Sequence, residues 1–227
     1  MTTTCQLRIL LAAAVALVAA PTARAGFLFP DPAGDTFGGP GGPDIISYEA
    51  ISAGGSVVFS VEFAGAIAAP SAFAPNSVWG YIDIDKDRNA GTGTTPWVNM
   101  FGNSPVLMGD EYFIDLLSEQ DHPGLVDAVR SSDNFATGQV AITYEATTFS
   151  LTVDTSLLGG GSNFYDYAII VGDFNGPSDQ APNGPLPATV TPTPSSLVLL
   201  TTGGFALLSG AGLRRWRRSA VPAACPA

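Results

Sequence analysis

Apolar residues that recur at every second position constrain the fold of this chain more than any other feature. Val57, Phe59, Val61 and Phe63 have this spacing. Because successive side chains of a strand point to opposite faces, the spacing predicts a strand with one buried face. The same reasoning predicts strands in segments 78–84, 112–116, 140–144 and 149–153, and a more continuously apolar strand in 164–171.

Turn-forming residues separate these predicted strands. Clusters of Gly, Pro, Asn and Asp lie between the apolar runs, and Glu145 to Thr148 fits a hairpin loop. No long segment has helical periodicity, and only Thr155 to Leu158 fits a single helical turn. Several short strands joined by turns favour an all-β, antiparallel sandwich or barrel.

The N-terminal 25 residues have the order of a secretory signal peptide. Arg8 precedes an apolar stretch over residues 9–20, and Ala23-Arg24-Ala25 provides small residues before a cleavage point at Gly26. We therefore expect residues 1–25 to direct export. The single globular domain then covers residues 26–188.

The C-terminal region has three parts. Residues 189–196 form a Pro/Thr/Ser linker, residues 197–213 an apolar segment, and residues 214–227 a basic cluster and tail. The uncharged run from Ser195 spans roughly 28 Å as a helix, near the thickness of a bilayer core. A transmembrane helix is expected, with the arginines on the cytoplasmic side. A buried core helix and a permanent anchor are the alternatives.

This order resembles the PEP-CTERM sorting signal of Gram-negative bacteria that make extracellular polysaccharide. The resemblance implies recognition by an exosortase, a transient membrane contact, and delivery to the cell envelope, outer surface or extracellular matrix. Two features depart from the pattern: Thr193 replaces the usual Glu, and Ser219 to Ala227 follow the arginines. The residues that carry the signal are Pro192, Pro194, Ser195, Ser196, Arg214, Arg215, Arg217 and Arg218.

Charge is distributed very unevenly along the chain. Of the nine basic residues, only Lys86, Arg88 and Arg130 lie within the domain. All 20 acidic residues lie there, so the domain carries a net charge of −17. Such a surface repels nucleic acid, whose binding depends on Lys and Arg. The two cysteines, Cys5 and Cys225, lie outside the domain, so packing or metal must stabilise it.

An acidic loop follows the strand predicted over residues 78–84. Oxygen-bearing side chains occur at every second position, at Asp83, Asp85, Asp87 and Asn89. Calcium takes several oxygen ligands from loops with this spacing, so a structural calcium ion is expected here. The loop is not an EF-hand, and a solvated acidic turn is the alternative.

A second resemblance rests on the segments 31–36, 83–93, 109–112 and 179–183. In this order they are similar to the group of family 9 carbohydrate-binding modules and DOMON-like domains. The resemblance implies a jelly-roll-like β-sandwich with a structural calcium, to which Asp31 or Asp35 would add ligands. Some members bind sugar chain ends between aromatic side chains, which makes Trp97 and Trp79 candidates. Trp79 is expected in the core and Trp97 on an exposed loop.

No catalytic set is evident in the sequence. His122 is the sole histidine and lies in a predicted surface turn, and a zinc site of His and Cys ligands is excluded. The expected function is non-catalytic adhesion or polysaccharide binding. The alternatives are a glycan hydrolase using two carboxylates, with Glu62, Glu111 and Glu145 as first candidates, and a purely structural matrix protein.

Overall fold

The computed structural model describes residues 28–38, 41–72, 74, 76–161 and 164–192. Strands dominate, as the period-two spacing predicts. The strands within these ranges are β1 (Phe29–Pro30), β2 (Ile45–Ala53), β3 (Ser56–Phe63), β4 (Trp79–Asp85), β5 (Tyr112–Asp115), β6 (Leu125–Arg130), β7 (Phe135–Tyr144), β8 (Thr148–Asp154), β9 (Asp166–Asp173), β10 (Gly176–Ala181), β11 (Ala188–Thr189) and β12 (Thr191–Pro192). The helical segments of the described residues are α1 (Trp97–Phe101) and two 3₁₀ turns, Leu116–Gln120 and Thr155–Leu158.

The strands form one curled, 12-stranded sheet in the order β1-β2-β3-β8-β7-β6-β5-β4-β9-β10. Strand β7 belongs to both halves of the sheet, since residues 135–141 pair with β6 and residues 142–144 with β8. Short β11 pairs with β9, and β12 adds the parallel pair beside β2. All other strand pairs are antiparallel, so the all-β, antiparallel prediction is confirmed.

The main core lies between the two halves of the curled sheet. Phe59 on β3 and Tyr48 on β2 meet Tyr167 on β9 edge to face, with ring centroids 5.4 Å and 6.2 Å apart. Edge-to-face contacts of this kind are favourable beyond the burial itself. The alternation predicted for segment 57–63 is confirmed, because Val57, Phe59, Val61 and Phe63 are at most 2% exposed while the residues between them are less buried.

A second, smaller core covers the outer face of β4 and β9. Val98 from α1 packs there with Val106, Met108, Ala168 and Ile170. The sequence does not predict α1, since a helix of five residues is too short to show a periodic pattern. The predicted single turn at Thr155 to Leu158 is confirmed as a 3₁₀ turn.

The domain continues beyond residue 188, where the sequence places its end. Val190 is fully buried and donates its backbone N–H to the carbonyl of Tyr165 over 2.8 Å. The neighbouring strands β11 and β12 extend the sheet through Pro192. The first four residues of the predicted linker are therefore part of the folded domain, because alternate residues here still find apolar neighbours and strand partners.

Several predictions lie outside the described residues. These are the signal peptide over residues 1–25, the apolar segment over residues 197–213, and all sorting-signal residues except Pro192. Within the described ranges, no helix is both long and apolar enough to span a membrane.

Candidate functional site

The acidic loop begins where β4 ends and brings two carboxylates to a third one from another segment. Asp85 is the last residue of β4, and Asp87 follows in the loop. Glu111 immediately precedes β5. One carboxylate oxygen from each of these three residues lies within 4.8 Å of the others. Carboxylate oxygens this close repel each other unless a cation or protons lie between them.

Strand register explains why Glu111 joins the loop. In the antiparallel pairing of β4 and β5, Ile84 lies opposite Tyr112, so the next pair outward is Asp85 and Glu111. From the sequence, Glu111 is a catalytic candidate and part of the segment 109–112, but not a predicted metal ligand. Pairing of the two predicted strands would place it beside Asp85, because Asp85 ends β4 and Glu111 precedes β5 at the same edge.

Two glycines allow the loop to approach the segment before β5. A Cβ atom on Gly109 would lie 2.0 Å from the carbonyl oxygen of Thr92. Gly93 has φ +70°, and a Cβ there would lie 2.6 Å from the backbone nitrogen of Asp110. A larger residue at either position would push the loop away from Glu111. Glycine is therefore required for the cluster to form.

Hydrogen bonds orient the three carboxylates but leave one oxygen unpaired. Asp85 accepts the backbone N–H groups of Asn89 and Gly109, and Asp87 accepts the Thr92 hydroxyl. One Glu111 oxygen accepts the N–H of Lys86 over 2.9 Å, while the other, Oε1, is buried without a hydrogen-bond partner. An orphaned, buried acceptor is unfavourable, and a cation ligated by Glu111 would satisfy it.

Electrostatics at the loop also favour a bound cation. Burial raises the pKa of Asp85 and of Glu111, and the nearby carboxylates add to the effect. Within the described part of the chain, the two ion pairs are Arg88 with Asp166 and Arg130 with Asp133. Neither pair neutralises the cluster. Since all donors are oxygens, the cluster suits a hard cation such as Ca²⁺.

Two residues of the predicted ligand set have other roles. Asp83 is fully buried, and its two oxygens accept the N–H groups of Trp97 and Val98 at the start of α1. Its side chain therefore holds α1 against the sheet. Asn89 turns its side-chain oxygen toward the N–H of Gly91 over 3.1 Å. Asp83 is therefore not part of the cluster of Asp85, Asp87 and Glu111.

Asp31 and Asp35 lie in a different place from the acidic loop. They group with Asp179 from β10, again with one oxygen from each residue within 4.8 Å of the others. The structure thus divides the predicted ligand set into two acidic clusters. Asp179 was noticed in the sequence only as a landmark, because no local pattern connects it to residues near the N-terminus of the domain.

A cleft lined by aromatic rings opens on the outer face of the sheet. Trp79 and Tyr81 from β4, Phe101 from α1 and Phe174 after β9 line a volume of about 260 Å³. The rings of Trp79 and Phe174 lie edge to face at 5.6 Å. Trp79 is half-buried in this cleft and belongs to neither core, contrary to the prediction, because it lies on the face of β4 opposite the main core.

Trp97 supports this cleft from behind. It is half-buried at the start of α1, not exposed on a loop as predicted, because its ring is held between two others. The Trp97 ring stacks with Tyr81 at 4.5 Å and with Phe101 at 5.6 Å. Phe101 and Phe174 remain 44% and 58% exposed. Phe101 therefore rests on the Trp97 ring, whereas Phe174 packs against Trp79.

His122 is exposed in the turn between the first 3₁₀ segment and β6, as the sequence predicts.

Comparison of the sequence with protein-family models and with curated proteins gives no match. The candidate site is therefore defined by geometry alone: the loop cluster, the cluster around Asp179, and the aromatic cleft.

Proposed function

We propose that this protein is an exported, calcium-stabilised, non-catalytic domain that binds polysaccharide at the cell envelope or in the extracellular matrix. In this proposal the curled sheet is a jelly-roll-like sandwich. The aromatic cleft is the observation that carries the proposal. Sugar rings present apolar faces that pack on aromatic rings, while their hydroxyl groups need polar partners at the rim.

The cleft has both kinds of group. Trp79 and Phe174 offer apolar surface, and Asp173 and Asn175 lie at the rim as hydrogen-bonding groups. Small-molecule sites begin at about 300 Å³, so a volume near that limit suits a sugar unit better than a large cofactor. A sugar-binding role also explains why apolar side chains such as Phe174 lie on the surface of a strongly acidic domain.

Calcium in this proposal is held by Asp85, Asp87 and Glu111. When bound, it supplies positive charge that offsets the repulsion among these carboxylates and satisfies Glu111 Oε1. The residues themselves fix the loop to the edge of β4 and β5. A domain without cysteine gains rigidity in this way where a disulfide is absent.

Export and sorting are supported by the sequence of the two terminal regions. The proposal predicts that a chain lacking residues 193–218 is released into the medium, because the apolar segment and the arginines are removed while β12 is kept. Immunoblotting of medium and envelope fractions measures this. Envelope association that is unchanged by the deletion would contradict the sorting claim.

Polysaccharide binding is tested by retention of the purified chain on insoluble polysaccharides and on extracellular polysaccharide from Gram-negative cultures. Trp79→Ala and Phe174→Ala are each expected to weaken retention at least tenfold, since each removes an aromatic face of the cleft. Phe135→Ala is the matched control: Phe135 is 61% exposed, similar to Phe174, but lies on β7 outside the cleft.

The same samples distinguish the proposal from hydrolysis. A binding domain retains the glycan without releasing new reducing ends, whereas a hydrolase produces them with time. Retention on no polysaccharide tested, or retention lost equally in Phe135→Ala, would contradict the proposed binding and favour a purely structural role.

A further inference from the structure

The curled sheet closes along a seam that has no continuous ladder of strand hydrogen bonds. We define the seam as residues 31–38 and 41–45 against residues 177–183. On one side lie β1 and the start of β2, and on the other lies β10. Side chains bridge the gap: Asp179 Oδ2 accepts the N–H of Ile45 over 2.6 Å, and the Ser178 hydroxyl donates to the carbonyl of Pro43 over 2.8 Å.

Acidic side chains from both sides meet at the seam. Asp31 and Asp35 come from the segment after β1, and Asp179 comes from β10. Asp44, just before β2, accepts the N–H of Gly34 over 2.9 Å. Within the described ranges, the basic side chains engage other partners: Arg88 and Arg130 form ion pairs elsewhere, and Lys86 donates to the carbonyl of Gly159. No basic residue of the described part of the chain therefore compensates these acids.

Two of these carboxylates are buried and two are half-buried, and part of their hydrogen-bonding capacity is unused. Asp179 is fully buried, and Asp31 is only 8% exposed. Asp31 Oδ2 has no hydrogen-bond partner, and neither have the buried Oδ1 atoms of Asp35 and Asp44. A buried acceptor without a partner costs free energy, and a buried carboxylate costs more. Several such oxygens in one place indicate a missing electropositive partner.

We propose that Asp31, Asp35 and Asp179 form a second calcium site, separate from the acidic loop, which joins the two edges of the curled sheet. Only oxygen donors are present, which favours Ca²⁺ over zinc or other metals that prefer nitrogen and sulfur. Unlike the loop site, it draws ligands from residues nearly 150 positions apart, so the ion links the beginning of the domain to its end.

The position of Asn183 agrees with this assignment. Its amide nitrogen donates to Asp31 Oδ1 over 2.9 Å and to Asp35 Oδ2 over 2.6 Å. It thus bridges two carboxylates that a cation would otherwise bridge. A flip of the side-chain amide exchanges its nitrogen for its oxygen and offers calcium a fourth ligand.

The pKa values of the seam carboxylates also favour a bound cation near neutral pH. Burial, followed by the charges of neighbouring acids, raises the pKa of Asp31 to about 7. Burial also raises the pKa of Asp179 to about 7, with Asp35 and Asp44 contributing. Above this pH the carboxylates ionise and repel one another, and a divalent cation removes that repulsion. The proposal depends on neither the loop site nor glycan binding.

Calorimetric titration of calcium into the full chain, purified in mild detergent and freed of metal with EGTA, tests the proposal. Two binding events per chain are expected. Asp31→Asn combined with Asp35→Asn should remove one event, and Asp85→Asn combined with Asp87→Asn should remove the other. Asp121→Asn, which changes an exposed carboxylate outside both clusters, is the matched control and should retain both.

Single Asp35→Asn is the milder test, since Asp35 is less buried than Asp31 and Asp179. It should weaken the seam event at least tenfold while circular dichroism remains that of the wild type. The proposal is overturned if this variant and the double variant bind calcium as the wild type does. It is also overturned if the loop variant loses all calcium binding. Survival of one event in the loop variant supports the seam site whether or not the loop site exists.

Discussion

At the scale of single residues, burial and hydrogen bonding divide the carboxylates among different roles. Asp83 is fully buried, yet each of its oxygens accepts an N–H group of α1. Asp110 is almost as buried, but it accepts the N–H of Ile84 over a longer distance, 3.4 Å. Burial therefore raises the pKa of Asp110, and the neighbouring Asp83 raises it further. The better-paired Asp83 orients a helix, whereas Asp110 is held most easily in its neutral form.

Asp110→Asn tests this difference. A carboxyl whose pKa is raised in the folded state binds its proton more tightly there, so its contribution to stability declines as pH rises above the unfolded value near 4. The asparagine side chain of the variant carries no charge at any of these pH values, so the stability of the variant does not decline in this way. We expect no change in melting temperature at pH 4 and a gain of about 5 °C at pH 8, equivalent to roughly 1–2 kcal/mol.

Melting of the metal-free chain, followed by circular dichroism at both pH values, measures the effect. Asp121→Asn, in an exposed turn, should leave the melting temperature unchanged at either pH. A variant Asp110→Asn that is destabilised at pH 8 would show that the native carboxylate is ionised and stabilising, contrary to the account.

At the scale of elements, hydrophobic alternation identifies the strands that face the main core on one side only. β3, β7 and β8 were predicted because their buried residues recur with a period of two. β6 carries a register shift between Ala128 and Val129, which breaks the alternation. β10 has the sequence Gly-Pro-Ser-Asp-Gln-Ala, and no hydrophobicity pattern predicts a buried strand from it.

The candidate site follows the same division. The loop carboxylates Asp85 and Asp87 could be predicted, because their ligand spacing is local in sequence. Glu111 required the register of β4 against β5, and Asp179 required the way in which the sheet closes. The aromatic cleft depended on α1, whose five residues leave no periodic signal. Sequence alone therefore predicted what is local, and missed what the topology brings together.

Val190→Ala tests whether the residues after 188 belong to the domain. The Val190 side chain is fully buried in the main core, so removal of two methyl groups should cost about 2 kcal/mol of the free energy of unfolding. Leu186→Ala is the control, because Leu186 is 72% exposed and should cost less than about 0.5 kcal/mol. Urea unfolding measures the free energy of unfolding of both variants. If Val190→Ala costs as little as Leu186→Ala, the residues after 188 belong to the linker.

At the scale of the whole molecule, both the excess of negative charge and the way the sheet closes affect the stability of the fold. The domain carries 20 acidic residues against three basic ones, and two acidic clusters are partly enclosed. Net charge of this size destabilises a compact state by self-repulsion. One cluster lies at an exposed loop and the other at the seam where the sheet closes. Two calcium ions would offset charge and fix the fold at both places, leaving the aromatic cleft on a rigid sheet.

Thermal melting of the full-length chain with EGTA and with excess calcium tests this claim most directly. At a calcium concentration of about 100 times the dissociation constant, each site adds roughly 2.7 kcal/mol. We expect calcium to raise the melting temperature by roughly 5–10 °C per site, and Asp85→Ala with Asp87→Ala to remove the share due to the loop. A melting temperature that is the same with EGTA and with calcium would contradict it.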